Sequence, residues 1–393
     1  MKRVLMTATV PSMIGQFNMD NIKLLQELGY TVDVACNFDD YSVWNRERIK
    51  KFESELKELK IKKINISFSR SPKNIKNIIN SYKQIKQLLN DKNYSLVHTH
   101  TPISSFITRL AYKKSNIYGT CKMIYTAHGF HFFKGNASVK NFIFRNIEKI
   151  GAKYTNVLIT INKEDYIAAK KFKLKKSGTV EYVPGVGIDI DKINLIKENK
   201  IQLCEELNIP KDAILILSVG ELNANKNHKI VIEILPELPN NVHYLMCGDG
   251  QLKEQHERLA KKLHVSDRLH FLGYRKDVIK IMKSCDIFVF PSKREGLSVA
   301  LMEAMACGCK VVCSQIPGME EWLDEHVPGQ QVEFVPLPEM TRVDEPKEEK
   351  LPEFEKKLAE AIEKKLEQQQ EECPDLNGVS WEGISRTVLE MIT

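Results

Sequence analysis

The chain runs to 393 residues, with 42% apolar, 28% charged and 8% aromatic side chains and a formal charge of +7. That length exceeds the roughly 100–200 residues of one domain, so two α/β domains are expected, and the composition is that of a globular enzyme. No apolar run approaches the roughly 18 residues that cross a bilayer, and Met1–Met6 is not followed by the small-residue cleavage site of a signal peptide; both observations speak against a membrane span and for an opening strand.

Arg3–Thr9 reads as an apolar strand, Asn21–Leu28 as a helix stopped by Gly29, and Thr31–Cys36 as a second strand. Trp44–Ile64 is lysine-rich and helical in period, with Trp44, Phe52, Leu56 and Leu59 on one side. Ser95–Thr99, Met123–Ala127 and Val157–Ile161 are further buried strands with helical stretches between them. Within one such stretch, Lys140–Tyr154, the apolar residues Phe142, Ile143, Phe144 and Ile147 mix with Lys140, Arg145, Lys149 and Lys153. Tyr182–Asp189, rich in Gly and Pro, marks a hinge. The scheme then restarts, with strands at Ala213–Val219, His243–Cys247, Leu269–Phe271, Ile287–Phe290 and Lys310–Cys313. Pro336–Gln370 is rich in Glu, Lys and Gln and reads as a solvated element holding a charged helix over Phe354–Gln370. A last amphipathic helix follows towards Ile392.

Strands alternating with helices of this length predict parallel, doubly wound sheets. The expected division is an N-terminal Rossmann-like domain over 1–190, a second over 191–378, and a terminal helix over 379–393 that returns to the first. Ligands of open α/β sheets bind beyond the carboxyl ends of the strands, so two such sheets facing a central cleft would hold a substrate there.

Charge is distributed unevenly. Residues 1–190 carry 32 Lys/Arg against 15 Asp/Glu, or +17, and the remainder 26 against 36, or −10. A basic half of this kind suits an anionic partner, either a membrane surface or nucleic acid, and equally a solvated lysine-rich surface with no partner. The two lysine-rich segments fit basic helices lying at an interface and equally fit ordinary helices packed on a sheet, which is the expectation for each. No zinc finger, RNA-recognition signature or basic stripe with interleaved aromatics supports nucleic acid. The nine cysteines, Cys36 to Cys373, are scattered through apolar segments, as in a reducing cytoplasm. The cluster Cys307-x-Cys309-x-x-x-Cys313 has no paired CxxC or neighbouring His and reads as packing, not a metal site.

Chemistry concentrates in Pro291–Gly308. A buried strand ends at Pro291, a loop carries Glu295-Gly296-Leu297, and a helix runs from about Ser298 to Ala306 before Gly308 stops it. The amides and partial positive charge of a helix N-terminus cradle a diphosphate. Glu303, further along, could grip two ribose hydroxyls, and Glu295 precedes the helix. This segment resembles glycosyltransferase family 4, whose members carry Glu, seven residues and Glu here. Ser218–His228 is similar to the family's strand-loop element in which a lysine, at the position of Lys226, holds the donor phosphates. Thr126–Gly135 resembles the loop of its exopolysaccharide and capsule members, and Ala8–Phe17 their first strand-to-helix turn. The likeness spans about residues 1–335 and departs at Glu221, where many members have arginine; Arg294, Arg275 or the helix N-terminus would then supply the missing cation.

The resemblance implies a GT-B fold and a retaining, metal-independent hexosyl transfer without a cofactor. A nucleotide sugar, UDP-linked, would donate to a lipid-linked surface glycan at the inner face of the cytoplasmic membrane. It marks Glu295, His128 and Lys226 as catalytic candidates. Lys226, Asn223, Gly296, Leu297, Ser298, Glu303, Gly273, Tyr274, Arg275 and Gly15 are the donor-binding ones. His98, His100 and His131 remain open between function and structure, and Gly248-Asp249-Gly250 reads as a tight turn into a helix. A sugar-nucleotide epimerase or a phosphorylase would need carboxylates or a cofactor lysine that the chain does not display. A silent sugar-nucleotide-binding scaffold is the alternative that Glu221 leaves open.

Overall fold

Short strands with buried side chains on both faces organise the fold. In the computed structural model, which describes residues 2–132, 137–295, 298–342, 345–369 and 374–392, the chain forms two compact units, Met1–Val183 with Ser385–Thr393, and Pro184–Ile384. The first contains strands β1 Arg3–Thr7, β2 Thr31–Cys36, β3 Lys62–Asn65, β4 Leu96–His100, β5 Lys122–Ala127, β6 Val157–Thr160 and β7 Thr179–Tyr182. They make one sheet in the order β3-β2-β1-β4-β5-β6-β7, every pair parallel.

The second unit repeats the plan with β8 Ile214–Val219, β9 Val242–Cys247, β10 Leu269–Gly273, β11 Ile287–Phe290, β12 Lys310–Gln315 and β13 Glu333–Pro336, ordered β10-β9-β8-β11-β12-β13. Each sheet grows to one side of its first strand and then restarts on the other. The order therefore reverses between β1 and β4 and between β8 and β11, the positions where doubly wound sheets open a crevice at their strand ends.

Period-two alternation divides the second core between two sets of partners. Leu215, Leu217, Leu245, Phe288 and Phe290 join one apolar cluster, while Ile216, Tyr244, Met246, Ile287 and Val289 join another. Parallel strands covered on both faces require such near-continuous apolar runs, and these are the strands legible in the sequence. β3, β7 and β13 are not. They lie at sheet edges, β3 and β7 with no buried side chain and β13 with Val335 alone buried, because an edge strand is shielded on fewer sides.

Two helices differ from expectation in instructive ways. Trp44–Ile64 is a helix only over Arg46–Glu58, with Asn45 capping it through the Arg48 amide, and then gives way to β3. Its apolar side is internal: Ile49, Phe52 and Leu56 are buried and Trp44 packs edge-on against Phe52. The charged tail is not a solvated element either. Its helix, Leu351–Glu367, buries Phe354, Leu358, Ala361 and Ile362 in the cluster with Ile230 and Ile234, and buried Lys365 donates to the Gln331 carbonyl at 2.6 Å. Charge counts hid a helix whose polar face alone is wet. The last helix, Trp381–Ile392, follows a bridge in which the Trp381 amide donates to the Ile188 carbonyl at 2.7 Å, and the Lys122 ammonium donates to the Met391 carbonyl.

Candidate active site

In the second unit, β8 and β11 are neighbours, and the loops that leave their carboxyl ends are joined by side chains. The Asn223 carboxamide oxygen accepts from the amides of Asn225 at 3.1 Å and Lys226 at 3.0 Å, folding the 223–226 loop as an Asx turn. Asn225 then donates to the Arg294 carbonyl at 2.8 Å, and the Lys293 amide donates back to the Asn225 carbonyl at 2.9 Å. The Lys226 chain lies along Gly220, its ammonium over the Phe290 ring at 5.1 Å and 2.9 Å from the Glu295 carboxylate. Lys226 and Glu295, far apart in sequence, form a largely buried ion pair.

Ser298 caps the helix Val299–Ala306, its hydroxyl accepting from the Leu301 amide at 3.4 Å. Serine suits that position because its oxygen satisfies one orphan amide of the first turn, and the other first-turn amides have no intrahelical acceptor. Glu303 lies about 7 Å along the axis from the cap. Burial raises its carboxyl to about 7, opposed by Lys192. Gly296 and Leu297 lie outside the described residues.

The tips of β8, β9 and β10 come together as bare backbone. A side chain on Gly248, at φ +146°, would place its first carbon 1.9 Å from the Gly220 carbonyl oxygen, and the Gly248 amide donates to the Gly273 carbonyl at 2.8 Å. The Gly-Asp-Gly turn is therefore dictated by close approach of two loops. Tyr274 follows with an exposed ring. Arg275 is held by two carboxylates, Asp277 at 2.8 Å and Glu206, so its charge is matched in this structure. Exposed Glu221 accepts from the Asn223 side chain at 3.2 Å. Cys309 and Cys313 donate to backbone carbonyls of Met282 and Ser314. Among the described residues no group of three His, Cys, Asp or Glu is arranged to hold a metal.

The corresponding tips in the first unit carry neutral groups. The half-buried His128 ring pairs with His100 at 3.1 Å, and His98 bonds the Thr126 hydroxyl at 2.8 Å. Burial depresses all three imidazoles, His128 to about 4 and His98 to about 3, so they are uncharged at neutral pH. His98 Nδ1 and His100 Nε2 are buried without a hydrogen-bond partner among the described residues. His131 is exposed and packs edge-on against Phe144. Gly15 sits inside the helix Pro11–Phe17, where an added side chain would strike Trp44 at 2.4 Å; the space beside it is filled by protein.

Sequence reading missed two features of these tips. Asn225, which stitches the two loops of the second unit, was signalled only by the Asn-x-Asn spacing of its Asx turn. Thr101 holds φ +62°, a conformation costly for a β-branched residue, with its hydroxyl bonded to Thr9 at 2.8 Å and Ser104 at 2.7 Å. Nothing in the sequence pattern announced that strain.

Known proteins resemble both halves of the chain. The family model described as glycosyl transferases group 1 matches residues 199–338, and that described as glycosyl transferase 4-like matches 16–162. The putative glycosyltransferase EpsD of Bacillus subtilis is 31% identical over 81% of this chain and 80% of its own length. The Campylobacter jejuni N,N'-diacetylbacillosaminyl-diphospho-undecaprenol alpha-1,3-N-acetylgalactosaminyltransferase is 25% identical over 80% of this chain and 81% of its own. Among solved structures, HepE of Anabaena, crystallised with UDP and glucose, superposes with a TM-score of 0.73 at 17% identity, covering 100% of this chain and 99% of that one.

Proposed function

We propose, since this chain belongs to glycosyltransferase family 4 with the GT-B fold, that it moves a hexosyl group with retention from a UDP-sugar to a hydroxyl of a growing, lipid-linked surface glycan. The observation that carries this reading is the Lys226–Glu295 pair at the reversal between β8 and β11. It holds one cation and one carboxylate next to the capped start of the Val299–Ala306 helix.

In this reading the donor diphosphate takes Lys226 from Glu295, and the helix amides share its charge. As the bond from the anomeric carbon to the diphosphate breaks, its electron pair passes to the phosphate, where these groups are aimed before reaction begins. The acceptor oxygen bonds the same carbon from the same face, and its proton passes to the departing phosphate. No separate base is then required, and the charge needs neither a metal nor a cofactor. Glu295, released from Lys226, faces the sugar hydroxyls and offsets positive charge at the ring. Glu303 accepts from the ribose hydroxyls, and the exposed Tyr274 ring with the Gly273 backbone meets the base. Within the first unit, neutral His128 offers an acceptor hydroxyl a hydrogen bond without adding charge.

The lipid-linked acceptor rests on the named activity of the Campylobacter relative, and UDP on the ligand of HepE. The +17 of residues 1–190 would draw the protein to the anionic inner face of the cytoplasmic membrane. Among the described residues no helix is long and apolar enough to cross a membrane.

The test supplies purified protein with UDP-sugars and an undecaprenyl-diphosphate-linked sugar, and follows UDP release and the anomeric configuration of the product. Transfer with retention, undiminished by EDTA, is expected. An inverted product, or transfer abolished by EDTA, would overturn the mechanism.

A further inference from the structure

Helix Ser138–Ala152 in the first unit is assembled the wrong way round for a helix that serves only to pack. Val139 and Phe142 are 71% and 72% exposed, Ile143 and Ile150 50% and 43%. At spacings of three, four and eleven residues these four share one side of the helix. The residues turned inward are Glu148, Gly151 and Ala152.

A buried ion pair fixes that rotation. The fully buried Arg109 guanidinium bonds the Glu148 carboxylate at 2.8 Å and lies over the Tyr125 ring at 4.2 Å, and Tyr125 donates to the same carboxylate at 3.3 Å. Gly151 admits the guanidinium, since a side chain there would meet it at 2.5 Å. Rolling the helix to cover Phe142 would strand two buried charges, which the interior strongly resists. The outward apolar side is thus imposed by the polar side.

Around it the charge is of one sign. Lys140, Arg145, Lys149 and Lys153 are all exposed, while the helix's single acid, Glu148, is internal. The other lysine-rich helix of this unit, Arg46–Glu58, buries Ile49, Phe52 and Leu56 and offers no such side. An apolar side rimmed by cations matches a bilayer of anionic lipid, whose head groups pair the lysines while the acyl boundary receives the apolar side chains.

We propose that the outward side of helix Ser138–Ala152 is the membrane-docking surface, inserting Val139, Phe142, Ile143 and Ile150 at an anionic leaflet. This rests on the reading above that the protein works at a membrane, and it names the element that makes contact.

The full chain is floated with vesicles of phosphatidylcholine alone or of equal parts phosphatidylcholine and phosphatidylglycerol, and UDP release is followed in parallel samples that also hold the UDP-sugars and the undecaprenyl-diphosphate-linked sugar. Wild type should float with the anionic vesicles and be released by high salt. The exposed pair Phe142→Ser/Ile143→Ser should lower the partition at least tenfold, and K140Q, K149Q and K153Q about fivefold each. All variants should keep the melting temperature and the UDP release seen without vesicles. Flotation indifferent to lipid charge, or untouched by the serine pair, overturns the proposal. So does a serine pair that dissolves a dimer while flotation persists, since a second copy would then cover the surface. Wild type that floats yet releases no UDP refutes the transferase reading and leaves the docking surface standing.

Discussion

The two units share a sheet order and differ in what stands at the point where that order reverses. Between β8 and β11 the loops carry Lys226 and Glu295 as a largely buried ion pair, beside the helix that carries Glu303. In the first unit the ends of β1, β4 and β5 carry Thr9, Thr101 and three uncharged imidazoles. One topology thus supports a charged tip in one unit and an uncharged one in the other. The strand order supplies a place where backbone ends converge, and the loop side chains supply the chemistry.

The contrast is sharpest in the backbone. The second unit brings the ends of β8, β9 and β10 so close that only glycine fits at 248. Gly248→Ala combines overlap with the Gly220 carbonyl and an unfavourable φ, and should destabilise the protein by about 4 kcal/mol, read as a fall in melting temperature. A variant as stable as wild type would mean that the tip is looser than described.

Charge gives the next effect. Lys226→Ala should weaken UDP-sugar binding by about 1.5–3 kcal/mol, the range for a charge-assisted bond, and His128→Ala should weaken acceptor binding by about 0.5–1.5 kcal/mol, the range for a neutral one. Calorimetric titration of both variants checks the ratio, and equal losses would erase the distinction between the two sites.

Titration gives the smallest, on the order of 1 kcal/mol for each pH unit crossed. Burial raises Glu303 from 4.5 to about 7, so the folded chain holds its proton more tightly than the unfolded one. Its stabilising contribution is full below about 4.5 and lost as pH rises through about 7. E303Q should therefore gain stability relative to wild type between pH 5 and 8. His128, depressed from 6.5 to about 4, runs the other way: its contribution is full above about 6.5 and lost as pH falls through about 4. Melting curves of E303Q and H128Q across pH should diverge from wild type in opposite senses, and parallel curves would contradict the burial assigned to these groups.

Much of this was readable beforehand where a residue's own surroundings are local. β2 and β11 appear in the sequence at their observed bounds, because strands covered on both faces must be apolar throughout. The Ser298 cap and the stop at Gly308 follow from the preferences of helix ends. Strands β3, β7 and β13, short and at sheet edges, were illegible, although β10, also at an edge, was read over Leu269–Phe271. The tail helix Leu351–Glu367 was misread as solvated because its charge count outweighed the spacing of Phe354, Leu358 and Ile362.

By itself, then, the sequence determined two doubly wound sheets and the Ser298-capped helix that Gly308 stops, since periodicity and end preferences act over a few neighbouring residues. Only the tertiary structure decided that Lys226 meets Glu295, that Arg275 is matched by Glu206 and Asp277, and that one lysine-rich helix hides its apolar side while the other shows it. Each of those depends on a partner brought in from another element, as Arg109 is to Glu148, and no local pattern encodes where a distant side chain arrives.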